Sequence, residues 1–189
     1  MDAVDLWAEM SEGMVLTAEQ TNLLRENALS TAHKALAELE AATSDDDQFY
    51  ALPTAAFAAF NLGLYDDARR HAERALLLSD SFQDNWNFGN AIHHGHSVLG
   101  LLALEIGDRT GAIKALHASG ATRGSPQLNS FGPTMQLAIA LLGLGERDAV
   151  LHYLDQCSVF WRMGSTSLSI WRRKIVAGET PNFFHHRYG

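Results

Sequence analysis

Apolar residues recur along this chain at helical spacing, and no segment of any length alternates apolar and polar residues as a strand does. A long helix is predicted from about Thr17 to Ala42, where Thr17 and Gln20 fit a capping box. Its buried stripe is expected to be Leu23, Leu24, Ala28, Ala32, Leu36 and Leu39. Further helices are predicted at about 46–62, 65–79, 85–106, 109–119, 132–144, 147–161 and 165–177. The pattern therefore predicts an all-α fold.

Three helix pairs share one pattern around a glycine, at Gly63, Gly107 and Gly145. Each glycine lies between an apolar helix end and an amphipathic helix, which is typical of the turn in a helical hairpin. A small residue stands seven positions before each glycine, at Ala56, Gly100 and Ala138. Offsets of five, nine and twelve after it predict a repeated packing face, formed by Ala68, Ala72, Ala75, Ala112, Leu116, Ser119, Val150, Leu154 and Cys157.

Two segments carry a resemblance to a known family, LGLYDDARRHAERAL at 62–76 and LGLLALEIGDRTGAIKAL at 99–116. They resemble tetratricopeptide (TPR) repeats, and the resemblance covers about residues 49–160. The repeats are degenerate, because Leu52, His96 and Thr134 stand where the family favours Trp. The resemblance implies a TPR-like bundle or short solenoid of antiparallel helix pairs, whose usual work is to hold another molecule.

The predicted organisation is one domain over residues 1–189. Residues 1–45 form N-terminal flanking helices, 49–160 form three TPR-like helix pairs, and 161–189 form a capping helix and a tail. The tail contains Phe183 and Phe184 and is expected to fold back on the core.

The net charge of −8 is spread along the chain, which disfavours nucleic-acid and anionic-membrane partners. The single cysteine, Cys157, cannot form an internal disulfide and fits a reducing compartment. The first residues lack the basic and apolar regions of a signal peptide. We therefore expect a cytoplasmic protein, and no motif calls for a cofactor.

In the TPR family the first helix of each pair lines a concave groove. The resemblance implies a mainly apolar lining here, without the Lys and Arg residues of a carboxylate clamp, and it favours a protein or peptide partner. The same side chains are equally compatible with a closed core, or with burial under the first long helix or the tail. The candidate groove residues are Tyr50, Phe57, Phe60, Asn61, His94, Ser97, Leu101, Met135 and Ile139.

A second candidate site is the predicted non-helical segment from Ser119 to Gly132, which is longer than a repeat turn requires. Its candidate contact residues are Arg123, Gln127, Asn129 and Phe131. The alternative is a merely longer connection that Phe131 pins to the core.

Histidines offer the one enzymatic alternative. His93 and His96 are three residues apart on a predicted helix, and a partner helix brings His117 near them in an antiparallel hairpin. Three imidazoles can hold zinc and leave a position for water. The chain lacks an HExxH motif, however, so a noncatalytic adaptor is favoured over a metal-dependent or small-molecule-processing enzyme. Self-association without another partner is the third class.

Overall fold

A computed structural model describes residues 3–187 of the chain. These residues contain α-helices and short 3₁₀ turns but no β-strand, which confirms the all-α prediction. None of the described helices has both the length and the apolar character that crossing a membrane requires. The helices are α1 (Ala3–Gly13), α2 (Ala18–Ala41), α3 (Asp45–Asn61), α4 (Tyr65–Ser79), α5 (Phe88–Glu105), α6 (Arg109–Gly120), α7 (Pro126–Phe131), α8 (Gln136–Gly143), α9 (Arg147–Phe160) and α10 (Ser165–Val176).

Neighbouring helices in sequence pack against each other in space. α2 packs on α3, α3 on α4, α4 on α5 and α5 on α6, while α9 contacts both α6 and α8. α3 also packs directly on α5, and α5 on α8. At the C-terminal end of the row, α10 covers α9, and α1 lies against α10. The chain thus forms one row of packed helices in which α3, α5 and α8 share a side.

The glycines of the three predicted turns adopt one conformation. Gly63, Gly107 and Gly145 have φ angles of 76°, 77° and 87°. In each turn the glycine N–H donates to the carbonyl three residues earlier, and the next N–H donates to the carbonyl five residues before it. This Schellman motif satisfies the last carbonyls of a helix and favours glycine because φ is positive. Gly178 ends α10 with the same two bonds and a φ of 86°.

The repeated packing face is confirmed as a buried surface. All nine of its predicted residues are exposed by at most 1%. Gly100 lies at a close helix contact, because a Cβ atom placed there would lie 3.0 Å from the Cβ of Ala115 and closer still to Leu137. The side-chain hydrogen of Gly100 thus permits α5 to approach α6 and α8.

Two sequence expectations for the helices are wrong. The segment 119–132 contains α7, which begins with Ser125 as N-cap and Pro126 at its first position. The predicted helix at 132–144 begins later, because Gly132 has a φ of 83° and Pro133 separates it from α8. Proline lacks an N–H, but the N–H of the first helical residue has no partner within the helix, so proline is favoured at this position. The sequence SPQL is therefore a typical helix start.

The predicted stripe of α2 is correct only in its C-terminal half. Thr17 and Gln20 form the expected capping box. Ala32 and Ala35 pack with Ala58 of α3 in a small apolar cluster, and Leu36 and Leu39 are half-buried. In the N-terminal half, Leu23 and Leu24 are exposed, because that part of α2 extends beyond the core clusters of the described residues.

The aromatic tail folds back on the core, as expected. Phe183 is fully buried, and the Asn182 amide donates to the carbonyl of Met14 at 2.8 Å. The carbonyl of His186 accepts a hydrogen bond from the N–H of Met135 at 2.7 Å. The tail therefore joins the start of α8 to the α1–α2 connection. The last two residues of the predicted tail lie outside the described range.

Candidate functional site

One face of α3 carries Tyr50, Thr54, Phe57 and Asn61 at helical spacing. Phe57 lies edge-on to His94 of α5, with 5.1 Å between the ring centroids. Aromatic pairs favour this arrangement because the positive ring edge meets the negative face. The pair therefore marks the point where α3 and α5 meet beneath the candidate site.

A cavity of about 260 Å³ opens between α2, α3 and α5 at this point. The packing of Ala32 and Ala35 on Ala58 holds α2 against α3 and closes one side. Small side chains dominate the lining, and none of the described residues that form it is charged. The lining consists of Leu24, Asn27, Ala28, Thr31, Ala32, Ala35, Thr54, Phe57, Ala58, Asn61 and His94.

His94 contributes an uncharged ring to this cavity. Burial lowers the pKa of His94 to about 4, and the nearby Pro53 carbonyl opposes that shift only in part. Protonation is therefore negligible at neutral pH. Its Nδ1 atom is buried and has no hydrogen-bond partner. The base of the cavity is consequently apolar apart from one imidazole edge.

Pro53 explains how α3 is tied to the helix that carries His94. Proline has no N–H, so the carbonyl of Phe49, one helical turn earlier, lacks its usual partner. The Asn87 side chain donates to that carbonyl at 2.8 Å. Asn87 is the residue before α5 and is itself buried. A side chain at the start of α5 thus compensates for the proline inside α3.

The structure keeps only part of the predicted groove accessible. Tyr50 and Asn61 are exposed, and Phe60, His94 and Ile139 are half-buried. The expectation of an open lining is wrong for the buried residues of the set, which are Phe57, Ser97, Leu101 and Met135. Phe57, Leu101 and Met135 belong to the main core cluster, since α3, α5 and α8 pack together there. Of these, Phe57 still reaches the cavity wall.

The wall formed by α2 was missed by sequence reasoning, which assigned its apolar residues to the core. Ala28 and Thr31 precede the packed residues Ala32 and Ala35 and face the same cavity. The small side chains were the available signal, because they leave space beside an aromatic residue such as Phe57. At the rim, the Asn61 amide oxygen accepts a hydrogen bond from Gln136 of α8 at 2.9 Å.

The second candidate set lies away from this cavity. Arg123 donates to the Gln83 carbonyl and lies over the ring of Phe88, and the Gln127 amide accepts from Asn90 at 3.3 Å. These contacts give Arg123 and Gln127 structural partners.

Phe131 does not pin the segment, because it is 77% exposed, and buried Leu128 anchors α7 instead. When the side-chain amide of Asn129 is oriented to suit its neighbours, its nitrogen donates hydrogen bonds to the carbonyls of Ser125 and Phe160. Asn129 is thereby tied to the end of α9.

The histidines do not assemble the alternative metal site. His93 is fully buried, with Nδ1 3.3 Å from the Ser119 carbonyl and Nε2 accepting from the Thr134 N–H at 3.1 Å. His117 directs Nε2 to the Ala149 carbonyl at 3.1 Å. In residues 3–187 no group of three or more His, Cys, Asp or Glu side chains is placed to hold a metal ion. The alternative prediction, a metal site formed by His93, His96 and His117, is therefore wrong.

Comparison of the chain with protein-family models, curated proteins and solved structures gives no match. The cavity and its surroundings are therefore the basis for assigning a function.

Proposed function

We propose that this chain is a noncatalytic binding module that holds a protein or peptide partner at the α2–α3–α5 cavity. The main support for this proposal is an uncharged recess of about 260 Å³ that is lined mostly by small residues together with Phe57 and His94. One large apolar side chain of a partner fits such a recess. Burial of that side chain stabilises a complex by removing apolar surface from water.

The distribution of charge favours an apolar anchor over a terminal carboxylate. No Lys or Arg belongs to the described lining, and His94 is neutral at physiological pH. Asn61 and Gln136, hydrogen-bonded at the rim, offer polar contacts to a partner backbone. We infer recognition of an amphipathic helix or an extended segment through its apolar face.

We further infer a degenerate TPR-like arrangement for the helix pairs α3–α4, α5–α6 and α8–α9. The three equivalent Schellman turns and the repeated buried face support this inference. The packing of α3 on α5 and of α5 on α8 places first helices side by side, as a paired-helix solenoid requires. The proposed groove is narrower than in an open solenoid, because α2 forms one wall.

The proposal is tested with peptides selected for binding to the intact chain from a random displayed library. Selected peptides are expected to share one Leu, Phe or Trp anchor. Thr54 is exposed and lines the cavity, so Thr54→Leu fills the recess without entering the core. Fluorescence polarisation should show a loss of peptide affinity of about tenfold or more.

Thr110→Leu provides the matched control, because Thr110 is exposed on α6 and does not line the cavity. It should leave peptide affinity unchanged. Phe57→Ala is a poorer test, since Phe57 is core and its truncation lowers stability. Equal affinities of the Thr54→Leu and Thr110→Leu variants for every selected peptide would exclude this cavity as the binding site.

A further inference from the structure

An exposed aromatic pair lies near the N-terminal end of α3. Tyr50 of α3 and Trp86 of the α4–α5 connection meet edge to face, with 5.4 Å between the ring centroids. Tyr50 is 60% exposed and Trp86 is 44% exposed. Single exposed apolar side chains are ordinary, whereas rings from two separate elements that meet at the surface offer a continuous contact area. We call this surface the Tyr50–Trp86 pair.

The connection that carries Trp86 is tied to α3 beneath this pair. The ring of Phe82 stacks on that of buried Phe49, with 4.7 Å between the centroids. The Asn87 side chain donates to the Phe49 carbonyl at 2.8 Å. Tyr50 follows Phe49 and Trp86 precedes Asn87, so both exposed rings are next in sequence to anchored residues. A surface prepared in this way loses less conformational entropy when a partner binds.

Carboxylates lie close to the pair on both elements. Asp46 and Asp47 are exposed four and three residues before Tyr50, so helical geometry places them on its face, with about 5–6 Å between Cβ atoms. Asp84 is exposed two residues before Trp86, which limits the separation of their Cα atoms to about 7 Å. At such separations salt screens the attraction between a carboxylate and a bound cation only in part.

The cations of the surrounding elements leave this negative charge largely uncompensated. Residues 42–87 contain eight acidic and three basic residues. Each of the three arginines pairs with another carboxylate: Arg69 with Glu73, Arg70 with Asp67 and Arg74 with Asp45. Arg123 lies over the ring of Phe88 at 5.3 Å, and the N-terminus of α3 adds about half a positive charge. Together they offset only part of the charge of Asp46, Asp47 and Asp84.

The pair continues the exposed surface of α3 that leads to the α2–α3–α5 cavity. Thr54 lines the cavity and lies about one helical turn after Tyr50, and both residues are exposed. The helical rise places Tyr50 about 10 Å from Phe57 along the axis of α3. Two turns of a partner helix span that distance and return its side chains to the same face. One partner segment can therefore occupy the cavity and reach the pair.

We propose that the Tyr50–Trp86 pair binds an arginine side chain of the partner whose apolar side chain enters the α2–α3–α5 cavity. The guanidinium group stacks on the aromatic rings, and the nearby carboxylates balance its charge. The inference rests on the proposed peptide binding and defines the partner further, as an amphipathic helix with an arginine about two turns from its apolar anchor.

Arginine and citrulline provide matched probes, since citrulline keeps almost the same shape and lacks the positive charge. Peptides selected on the intact chain should contain an arginine seven residues from the anchor. Replacing that arginine by citrulline should weaken binding to the unsubstituted chain by about threefold to tenfold in fluorescence polarisation. The loss should become smaller as the salt concentration rises, because part of the attraction is between exposed charges.

Two variants of the chain assign this effect to the pair. In Trp86→Ala, and in the double variant Asp46→Asn with Asp84→Asn, the citrulline replacement should have at most about half the effect seen with the unsubstituted chain. Phe131→Ala is the control for Trp86→Ala, because Phe131 is an exposed aromatic residue of α7. It should retain the whole effect.

The outcomes separate this inference from the cavity proposal. It is overturned if the selected peptides lack arginine, if citrulline peptides bind as tightly as arginine peptides, or if Trp86→Ala behaves like Phe131→Ala. Weaker binding to Thr54→Leu combined with any of these results supports the cavity alone. A full citrulline effect that depends on Trp86, without any effect of Thr54→Leu, would support arginine binding at the pair and overturn the cavity as the anchor site.

Discussion

Replacing Gly100 by alanine places a methyl group where α5 meets α6 and α8. The new Cβ would lie 3.0 Å from the Cβ of Ala115 and closer to Cδ2 of Leu137. Leu137 is only 1% exposed, so it cannot swing into solvent to make room. Overpacking of this kind costs about 1–3 kcal/mol. The higher helix propensity of alanine offsets about 1 kcal/mol, which leaves a net loss of roughly 0–2 kcal/mol.

Gly143→Ala separates these two contributions. Gly143 lies in α8, and a Cβ atom there meets nothing within 4 Å, so this variant gains propensity without a clash. Urea unfolding followed by circular dichroism should place Gly100→Ala below Gly143→Ala by about 1–3 kcal/mol, with unchanged slopes. Identical midpoints for the two variants would show that α5 does not approach α6 and α8 as closely as described.

Two further predictions concern buried titratable groups. Burial lowers the pKa of His93 from 6.5 to about 3, so its neutral form stabilises the fold fully above pH 6.5 and that stability is lost as the pH falls below it. Lowering the pH from 6.5 to 5 should therefore cost about 1.6 kcal/mol of folding stability at this residue. The His93→Gln variant keeps a donor and an acceptor, so its urea midpoint should depend less on pH. Burial raises the pKa of the Cys157 thiol to about 12. A thiol reagent at pH 8 should therefore modify Cys157 only after the protein unfolds. Rapid reaction in the native state would contradict the burial of this residue.

The helix order and the turns were predictable because their causes are local. A glycine after an apolar helix end supplies the positive φ of a Schellman turn, and Gly63, Gly107 and Gly145 all do so. Offsets of three and four residues then place the repeated face on one side of each second helix. The same local reasoning missed α7, although Ser125 and Pro126 are a regular helix start.

The candidate site was predictable only in part, because helical spacing shows which residues share a face but not what covers that face. Tyr50, Phe57 and Asn61 do share one face of α3. Phe57 is nevertheless buried, whereas Tyr50 is 60% exposed. The difference arises from helices distant in sequence, chiefly α5 through His94, and no local pattern specifies that contact.

His93 shows the same limit in the opposite direction. The spacing of His93 from His96 suggested a metal site. In the structure, however, its two ring nitrogens contact the carbonyl of Ser119 near the end of α6 and the N–H of Thr134 before α8. The partners are 26 and 41 residues away in sequence. A buried neutral histidine can satisfy a backbone carbonyl with one ring nitrogen and a backbone N–H with the other. These two contacts explain why His93 lies in the core, and no metal is needed.

The proposed binding cavity arises where a flanking helix, α2, packs against the row of helix pairs. α2 packs on α3 through alanines, and because alanine side chains are short, the helix surfaces leave a recess beside Phe57. Tightly interdigitated cores leave few voids larger than a water molecule. Small residues at the α2–α3 contact therefore account for a cavity of ligand size in a helical row whose repeated faces are otherwise fully buried.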